Sequence, residues 1–277
     1  MMILIARRIP GAGGTIPPKD RLMITLGIDI GSITTKAALI RDGALKGSRV
    51  GFTGYNIAKA WRHVTEELLA ELGIGFDAVD KIVSTGYGRA SVPEAHKAIT
   101  EITCHAAGVN FCAPHVRSII DIGGQDSKAI ALDDNGRVRD FVMNDKCAAG
   151  TGRFLEVMAR ALQVDLEDFG EISLQAEKPG KISSLCTVFA ESEVISLISK
   201  GEGRDNIVAG IHESIATRIV AMANRIGVRV PVMMTGGVAK NIGVVRALEK
   251  KLGMNIEVSE RAQVMGAIGA AILAVAL

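Results

Sequence analysis

Two segments of the chain carry the same combination of aspartate, glycine and lysine. Asp29–Ala37 and Asp121–Ala129 both read D-I-G-x-x-x-x-K-A, and their aspartates lie 92 residues apart. A glycine directly after a strand lets the backbone turn sharply and point N–H groups at an oxyanion. Neighbouring hydroxyl and ammonium groups add donors, and an aspartate at the strand end suits a hydrated metal ion. One copy alone is typical of an ordinary hairpin turn, whereas two matched copies predict a pair of phosphate-binding loops.

The repeat supplies the candidate residues of a triphosphate site. Asp29 and Asp121 are the candidates for holding hydrated Mg²⁺ and orienting the attacking water, and Gln125 is a third catalytic candidate. Catalysis at such a site is positioning and electrostatics rather than covalent chemistry. The phosphate contacts that we expect are Gly31, Ser32, Thr34, Thr35 and Lys36 from the first loop, and Gly123 and Gly124 from the second.

A third glycine element, Met234–Asn241, follows the apolar run Val230–Met233 and opens a helical pattern through Lys251. Paired glycines between a strand and a helix let a flat base approach the backbone, and the helix N-terminus adds donors. An ordinary strand-to-helix connection uses the same residues. The nucleoside-binding interpretation of this element is favoured only by its position after two phosphate loops. The nucleoside candidates are Gly236, Gly237, Lys240, Asn241 and Gln263, with Lys240 alternatively a solvated helix residue.

The elements that position these residues follow from the apolar runs around each loop. Each D-I-G lies between two short apolar runs, and a turn signal follows, Asp42-Gly43 in the first copy and Asn135-Gly136 in the second. The predicted unit is strand, glycine loop, strand, hairpin, strand. The apolar run Val264–Leu277 is too short to span a membrane and predicts a helix packed on a sheet.

These three elements, closing with the Gly/Ala segment 265–271, resemble the nucleotide site of the actin, hexokinase and Hsp70 superfamily. The resemblance implies an α/β fold of two duplicated, ribonuclease H-like lobes, with mixed sheets, flanking helices and a cleft for ATP and Mg²⁺. We expect lobe I over residues 23–115 and lobe II over 116–277, with the C-terminal helix packing back on lobe I. The fold does not choose among sugar kinases, chaperones and other ATPases.

Two cysteines precede helical patterns and suit metal ligation. Cys147 precedes Phe154, Leu155, Met158 and Leu162, and Cys186 precedes Phe189, Val194, Ile195 and Ile198. A thiol at a helix N-terminus feels the positive end of the helix dipole, which favours the thiolate. A four-iron cluster usually takes four thiolates, so two cysteines per chain would require a two-fold dimer. Buried structural thiols remain the alternative, and Cys104 and Cys112 are typical of core packing.

Four segments bear a second resemblance: 144–154, 186–196, 84–89 and 121–126. They resemble the activator ATPases of 2-hydroxyacyl-CoA dehydratases, in the BadF/BadG/BcrA/BcrD ATPase family that includes ATPase subunits of benzoyl-CoA reductase. The resemblance implies a homodimer with one [4Fe–4S] cluster between subunits, bound by Cys147 and Cys186 of each. It also implies that ferredoxin or flavodoxin reduces the cluster, and that ATP hydrolysis drives one electron into a dehydratase-type iron–sulfur partner.

Three alternatives stay open, and one is a non-enzymatic ATP-dependent scaffold of the chaperone or filament kind, for which both cysteines would be incidental. An ATPase subunit of a benzoyl-CoA reductase-like or other ATP-dependent reductase shares these motifs, and a small-molecule or sugar kinase shares the fold. A kinase predicts a sugar-binding segment between the phosphate loops, where residues 52–117 instead show mainly helical periodicity.

Composition bounds the partners and the compartment. With 32 basic and 30 acidic residues the net charge is +2, which gives no general electrostatic attraction for nucleic acid or an anionic membrane. Residues 1–22 place apolar residues before Arg7-Arg8, the reverse of a secretory signal, and predict a disordered extension. Four cysteines without such a signal favour a reducing compartment, so we expect a cytoplasmic protein.

Overall fold

The computed structural model describes residues 23–183 and 186–277, so the extension predicted over residues 1–22 lies outside the described part. The first half contains β1 (Ile24–Ile30), β2 (Thr34–Arg41), β3 (Ala44–Phe52), α1 (Ile57–Glu71), β4 (Lys81–Thr85), β5 (Lys97–Ala98) and α2 (Glu101–Cys112). The second half begins with β6 (Ser118–Ile122), β7 (Ser127–Leu132), β8 (Val138–Asn144), α3 (Gly152–Leu162), α4 (Phe169–Leu174) and α5 (Thr187–Ser199). It continues with α6 (Arg204–Ile226), β9 (Val232–Thr235), α7 (Ile242–Leu252), β10 (Ile256–Val258) and α8 (Met265–Ala274).

Each half builds a five-stranded mixed sheet, and the two sheets have the same topology. The first has the order β3-β2-β1-β4-β5 and the second the order β8-β7-β6-β9-β10. In each, three antiparallel strands form a meander, and the remaining two run parallel to the first strand of that meander. The duplicated mixed sheets with flanking helices confirm the expected fold class.

The D-I-G-x-x-x-x-K-A spacing is explained by the register of the first two strands in each sheet. Asp29 pairs directly with Lys36 across β1 and β2, and Asp121 pairs with Lys128 across β6 and β7. Directly opposed residues in an antiparallel pair place their side chains on the same face of the sheet. The motif therefore sets an aspartate beside a lysine at the mouth of each loop.

A second duplication follows the parallel strand of each sheet. Thr85 lies beside Asp29, Thr235 lies beside Asp121, and each threonine is followed by a glycine with positive φ. A Cβ on Gly86 would lie 2.6 Å from Asp29 Oδ1, and one on Gly236 would lie 3.0 Å from Asp121 Oδ1. Only glycine tolerates both the conformation and the close approach, so each Thr-Gly pair closes against the aspartate of its own half.

The last helix joins the two halves. A Cβ on Gly27 of β1 would overlap the carbonyl oxygen of Ala267 in α8, and one on Gly269 would overlap the carbonyl oxygen of Cys104 in α2. The Thr25 hydroxyl donates to the Ala271 carbonyl at 2.8 Å. The C-terminal helix thus packs on the first sheet, and the proposed lobe boundary at 115/116 lies between α2 and β6.

Apolar residues fill each half separately and also the junction. The first-half core lies between its sheet and α1, where Trp61, Val64 and Leu68 are buried, and the second-half core surrounds α6. A further cluster mixes residues of both halves, such as Ala38, Ile119 and Ile268. Within the described ranges, no helix is both long and apolar enough to cross a membrane.

Candidate functional site

A cavity of about 430 Å³ lies where the two duplicated loops face each other. This volume is in the range of pockets that hold small molecules and cofactors. Both sheets, both D-I-G loops, the third glycine element and the first turn of α3 contribute to its wall.

The structure brings all but two of the predicted nucleotide residues to this cavity. Those that line it are Asp29, Gly31, Ser32, Thr34, Lys36, Asp121, Gly123, Gly124, Gly236, Gly237, Lys240, Asn241 and Gln263. Residues from three separate parts of the sequence therefore meet at one place.

Thr35 and Gln125 correct the sequence prediction. Thr35 is fully buried, and its hydroxyl lies 2.9 Å from that of Thr53. Strand alternation turns it away from the face that carries Thr34 and Lys36, so it stabilises the loop instead of contacting phosphate. The Thr53 hydroxyl also donates to the Gly31 carbonyl at 2.9 Å. Gln125 is exposed at the tip of the second loop and is not part of the cavity wall.

The second loop carries a buried lysine surrounded by carboxylates. Lys128 is 1% exposed, and its Nζ lies 2.8 Å from Asp126 Oδ2, 3.1 Å from Asp121 Oδ2 and 3.4 Å from Glu101 Oε2. A buried ammonium group is stable only with such partners. Its donors are therefore engaged by the protein itself.

The electrostatics of this cluster separate two of its acids. Burial alone would raise the pKa of Asp121, but nearby His105 and Lys128 and the hydroxyl of Thr235 reverse this and lower it below its usual range. Glu101 shows the opposite balance, because burial raises its pKa to about 7 despite the attraction of Lys128. The neighbouring acids, Asp126 first, add to that rise. Near neutral pH the ionised form of Asp121 is therefore favoured, whereas Glu101 is close to its own pKa and is partly protonated.

The first loop differs in charge and exposure. Lys36 Nζ lies 3.2 Å from Asp29 Oδ2, and the lysine side chain remains 13% exposed on the cavity wall. Among the described residues Asp29 is its only ion-pair partner within 4.0 Å. Lys36 therefore retains donors for an anion in the cavity, unlike Lys128.

The third glycine element takes the form of a short 3₁₀ turn. Gly237–Lys240 forms that turn between β9 and α7, and the Asn241 side chain accepts from the Val244 N–H at 3.0 Å to cap α7. The cap occupies Asn241 Oδ1 and leaves its amide N–H groups available. Lys240 is exposed at the cavity edge.

Sequence reasoning missed several residues on this wall. The cavity is also lined by Tyr87, Glu101, His105, Asp126 and Lys128. His105 Nδ1 lies 3.2 Å from the Thr235 hydroxyl, which donates to Asp121 Oδ1 at 2.8 Å. The repeated Thr-Gly pair was the available signal for Thr235. His105 and Glu101 had none, because both come from a helix outside the repeats.

Cys147 lies in a loop fixed by side chains. The Asn144 amide donates to the Cys147 carbonyl at 2.9 Å, and the Thr151 hydroxyl donates to the Ala148 carbonyl at 2.6 Å. Helix α3 begins only at Gly152, so the prediction that Cys147 directly precedes a helix is wrong. The four apolar residues predicted to follow it are all buried on α3, as their spacing indicated.

Cys186 is the N-cap residue of α5, as its position in the sequence predicted, and it is exposed. Of the four apolar residues predicted after it, only Val194 is buried. The α5 apolar face, which we define as Val188, Phe189, Ile195 and Ile198, is between 45% and 66% exposed. An exposed thiol and four partly exposed apolar side chains thus lie on the same helix or at its start.

The remaining cysteines belong to the protein interior. Cys104 is fully buried, and burial raises the pKa of its thiol to about 12. Cys112 is half-buried, and its pKa is also raised by burial. Burial thus disfavours the thiolate of both residues, which makes them poor metal ligands, and Cys104 lies in the core as expected.

Two duplicated sheets that close on a cavity lined by glycine loops define the actin-like class of ATPases and sugar kinases. Within that class, the chain belongs to the BadF/BadG/BcrA/BcrD ATPase family, whose model matches residues 26–274.

Relatives are similar over nearly the whole length. An activator of lactoyl-CoA dehydratase from Anaerotignum propionicum is 49% identical over 91% of this chain and 97% of its own. The crystal structure of component A of the Acidaminococcus fermentans (R)-2-hydroxyglutaryl-CoA dehydratase has a TM-score of 0.88 at 46% identity, over 91% and 97% of the two chains. The activator of the 2-hydroxyisocaproyl-CoA dehydratase from Clostridium difficile, solved with bound ADPNP, has a TM-score of 0.86 at 47% identity, over 91% and 94%.

Proposed function

We propose that this protein is an ATPase that activates a 2-hydroxyacyl-CoA dehydratase-type partner by delivering single electrons to it. The observation that carries the proposal is the combination, in one chain, of the two-loop cavity and two cysteines in loop or helix-start positions, the half-buried Cys147 and the exposed Cys186. Relatives 46–49% identical over about nine-tenths of the chain are named as dehydratase activators. The fold alone would not distinguish this function from that of a kinase.

The cavity fits a nucleoside triphosphate with Mg²⁺. Asp29 and Asp121 lie at the ends of β1 and β6, where both carboxylates face the cavity and can orient the waters of a hydrated cation. Lys36 and Thr34 supply donors from one side, and the backbone N–H of Gly124 supplies one from the other, since that of Gly123 donates to the Asp126 carbonyl at 2.9 Å. Gly237, Lys240 and Gln263 border the part that would hold the nucleoside. The bound ADPNP of the Clostridium difficile relative supports this assignment.

Cys147 and Cys186 fit a shared iron–sulfur cluster. Among the described residues, no three His, Cys, Asp or Glu side chains come together in an arrangement that could hold a metal ion. Two thiolates per chain become four in a two-fold dimer, the number that a [4Fe–4S] cluster takes. Cys186 at the N-terminus of α5 places a thiol at the positive end of a helix dipole. When bound, the cluster would supply a one-electron redox centre.

The α5 apolar face gives the dimer a surface to bury. It begins two residues after Cys186, so two chains that bring their Cys186 thiols together also bring these side chains together. The electron source that we propose is a small carrier such as ferredoxin or flavodoxin, in the cytoplasm. The partner that we propose is a second iron–sulfur protein.

Anaerobic purification with iron and sulfide analysis tests the cluster. We expect a brown protein with about four irons per dimer, and Cys147→Ser to lose the iron while retaining ATP hydrolysis. Cys112→Ser is the matched control, because Cys112 is a half-buried thiol remote from both ligands in sequence, and it should keep the iron. A colourless wild-type protein with intact ATPase activity would overturn the proposal.

Mixing the reduced protein with a dehydratase tests electron delivery. Partner reduction, followed by its own spectroscopic signal, should require both ATP and Cys147. If ATP-dependent reduction occurs with a benzoyl-CoA reductase-like protein and not with a dehydratase, the partner assignment fails while the electron-donor assignment stands.

A further inference from the structure

We propose that the first turn of α3, through Thr151 and Gly152, transmits the nucleotide state of the cavity to Cys147. The inference deepens the proposed function and rests on it for the role of Cys147 as a ligand. The contacts themselves exist in the iron-free chain, so they can be tested without the cluster.

Helix α3 is hydrogen-bonded to the second phosphate loop. The Gly152 N–H donates to the Gly123 carbonyl at 2.9 Å, and the Arg153 N–H donates to the Gly124 carbonyl at 2.8 Å. These are two of the N–H groups that a helix leaves without an internal partner in its first turn. Any displacement of the glycine loop therefore moves the start of α3 with it.

All three nucleotide elements meet at this turn. A Cβ on Gly152 would lie 3.2 Å from the Gly123 carbonyl oxygen and 3.4 Å from Val238 of the third glycine element. A Cβ on Gly124 would lie 2.6 Å from Ile33, which belongs to the first phosphate loop. The absence of side chains at Gly124 and Gly152 lets the two loops and the helix pack in direct contact. A nucleotide that draws the loops together acts on this packing.

The Cys147 loop is attached to the same turn. Thr151 is fully buried, and its hydroxyl donates to the Ala148 carbonyl at 2.6 Å. On the other side of the loop the Asn144 amide donates to the carbonyls of Cys147 and Ala149, at 2.9 and 3.3 Å. The loop is therefore held between the end of β8 and the start of α3. A shift of α3 alters the Cys147 environment through Thr151, which makes Thr151 a positioning residue.

A nucleotide can drive this change only if it binds the two loop arrangements with different affinity. A triphosphate reaches both D-I-G loops, whereas a diphosphate leaves the γ-phosphate contacts unmade. We therefore expect ADPNP and ADP to leave Cys147 in different environments.

Alkylation of the iron-free full chain tests the connection. The reduced protein is treated anaerobically with iodoacetamide in saturating Mg²⁺–ADPNP or Mg²⁺–ADP, and Cys147 modification is followed by peptide mass spectrometry. We expect the two rates to differ by about five-fold or more, the usual range for coupling between sites. Thr151→Val keeps the side-chain shape and removes the hydroxyl, but it keeps the Thr151 N–H, which donates to the same Ala148 carbonyl at 3.0 Å. The ratio should therefore fall measurably while nucleotide affinity is unchanged.

Thr217→Val is the matched control. The Thr217 hydroxyl also donates to a backbone carbonyl, that of Glu213 at 2.7 Å, but it lies on the exposed side of α6, and the ratio should persist. Buried Cys104 reports folding, because it stays unmodified in a folded chain. If Thr151→Val exposes Cys104, Asn144→Ala replaces it as the variant. Equal wild-type rates with both nucleotides bound, or a ratio that survives in the folded variant, would overturn the inference, whatever the iron content shows.

Discussion

At the scale of single residues, the two halves of the repeat have diverged in what surrounds the lysine. Lys36 has one carboxylate partner and remains partly exposed in the cavity, whereas Lys128 is buried among three carboxylates. The same spacing therefore gives one lysine available to a ligand and one that holds the protein together. Stability and ATPase measurements can separate these roles.

The two lysines should respond differently to the same substitution. Lys128→Met leaves Asp121, Asp126 and Glu101 without their shared cation, and breaking a buried ion pair in this way costs about 3–5 kcal/mol of unfolding free energy. Lys36→Met leaves one carboxylate, Asp29, without its partner instead of three, so it should cost less stability than Lys128→Met. It should also lower ATP hydrolysis, because it removes a donor from the cavity. Urea unfolding and steady-state ATPase assays measure both effects. Equal stability losses in the two variants would contradict this distinction.

Glu101 predicts a dependence of stability on pH. Its pKa is raised from 4.5 to about 7 in the folded chain. Between these values the folded state binds the additional proton, so wild-type stability falls as pH rises through this window. Glu101→Gln removes the free-energy cost of ionising this buried carboxyl. The unfolding free energy of the variant minus that of wild type should therefore increase from pH 4.5 to pH 7 and stay constant above pH 7.

Urea unfolding at pH 5 and pH 8 measures this difference for Glu101→Gln. Glu66→Gln, at an exposed position on α1, is the control, and its difference from wild type should not follow the same course. A Glu101→Gln difference that shrinks as pH rises would show that the Lys128 attraction outweighs burial at this site.

At the scale of elements, the sequence predicted the strands and loops well because the repeat constrains both. The Asp–Lys spacing fixes the register of β1 with β2 and of β6 with β7, and the turn signals fix the hairpins. The facing of individual side chains was less accessible. Thr35 points inward because successive side chains of a strand alternate between the two faces of the sheet, so the sequence could have predicted its position. The outward position of Gln125 depends instead on the conformation of the loop.

Helix α2 shows what the sequence could not supply. It carries Glu101 and His105 into the cavity because α8 from the far end of the chain packs against it. No local pattern connects those segments, and the mixed apolar content of both is compatible with several packings. The sequence also did not predict that α5 lies on the surface of the single chain. An apolar helix has the same sequence pattern whether the chain buries it or leaves it exposed.

The contact between α2 and α8 predicts a large effect from one methyl group. A Cβ on Gly269 would overlap the Cys104 carbonyl, which belongs to helix backbone and cannot move aside. Gly269→Ala should therefore lower the unfolding free energy by about 1–3 kcal/mol, the usual cost of overpacking. Gly237→Ala is the control for stability, because only Gln263 Nε2 comes near its Cβ, at 3.9 Å. Matching urea midpoints for the two variants would mean that the helices separate without cost.

At the scale of the whole molecule, the cavity and Cys186 lie in different parts of the chain. The cavity lies within the chain, where both D-I-G loops meet, whereas Cys186 and the α5 apolar face lie on its surface. Nucleotide chemistry is therefore internal to each chain, and the proposed electron transfer belongs to an assembly. The first turn of α3 lies between the two and is part of the cavity wall.

The proposed dimer makes its own prediction at this scale. Ile195 lies on the α5 apolar face and is 57% exposed in one chain, so Ile195→Ser should leave the stability of the single chain nearly unchanged. If a second copy covers this face, each dimer loses two buried side chains at about 1 kcal/mol each, and its dissociation constant rises about 30-fold. Sedimentation velocity at several concentrations measures the shift. Phe52→Ser, at a side chain 75% exposed on β3, is the control and should sediment as wild type. An unchanged dimer with slower partner reduction would instead assign this face to the electron acceptor, because the loss then appears only when the partner is present.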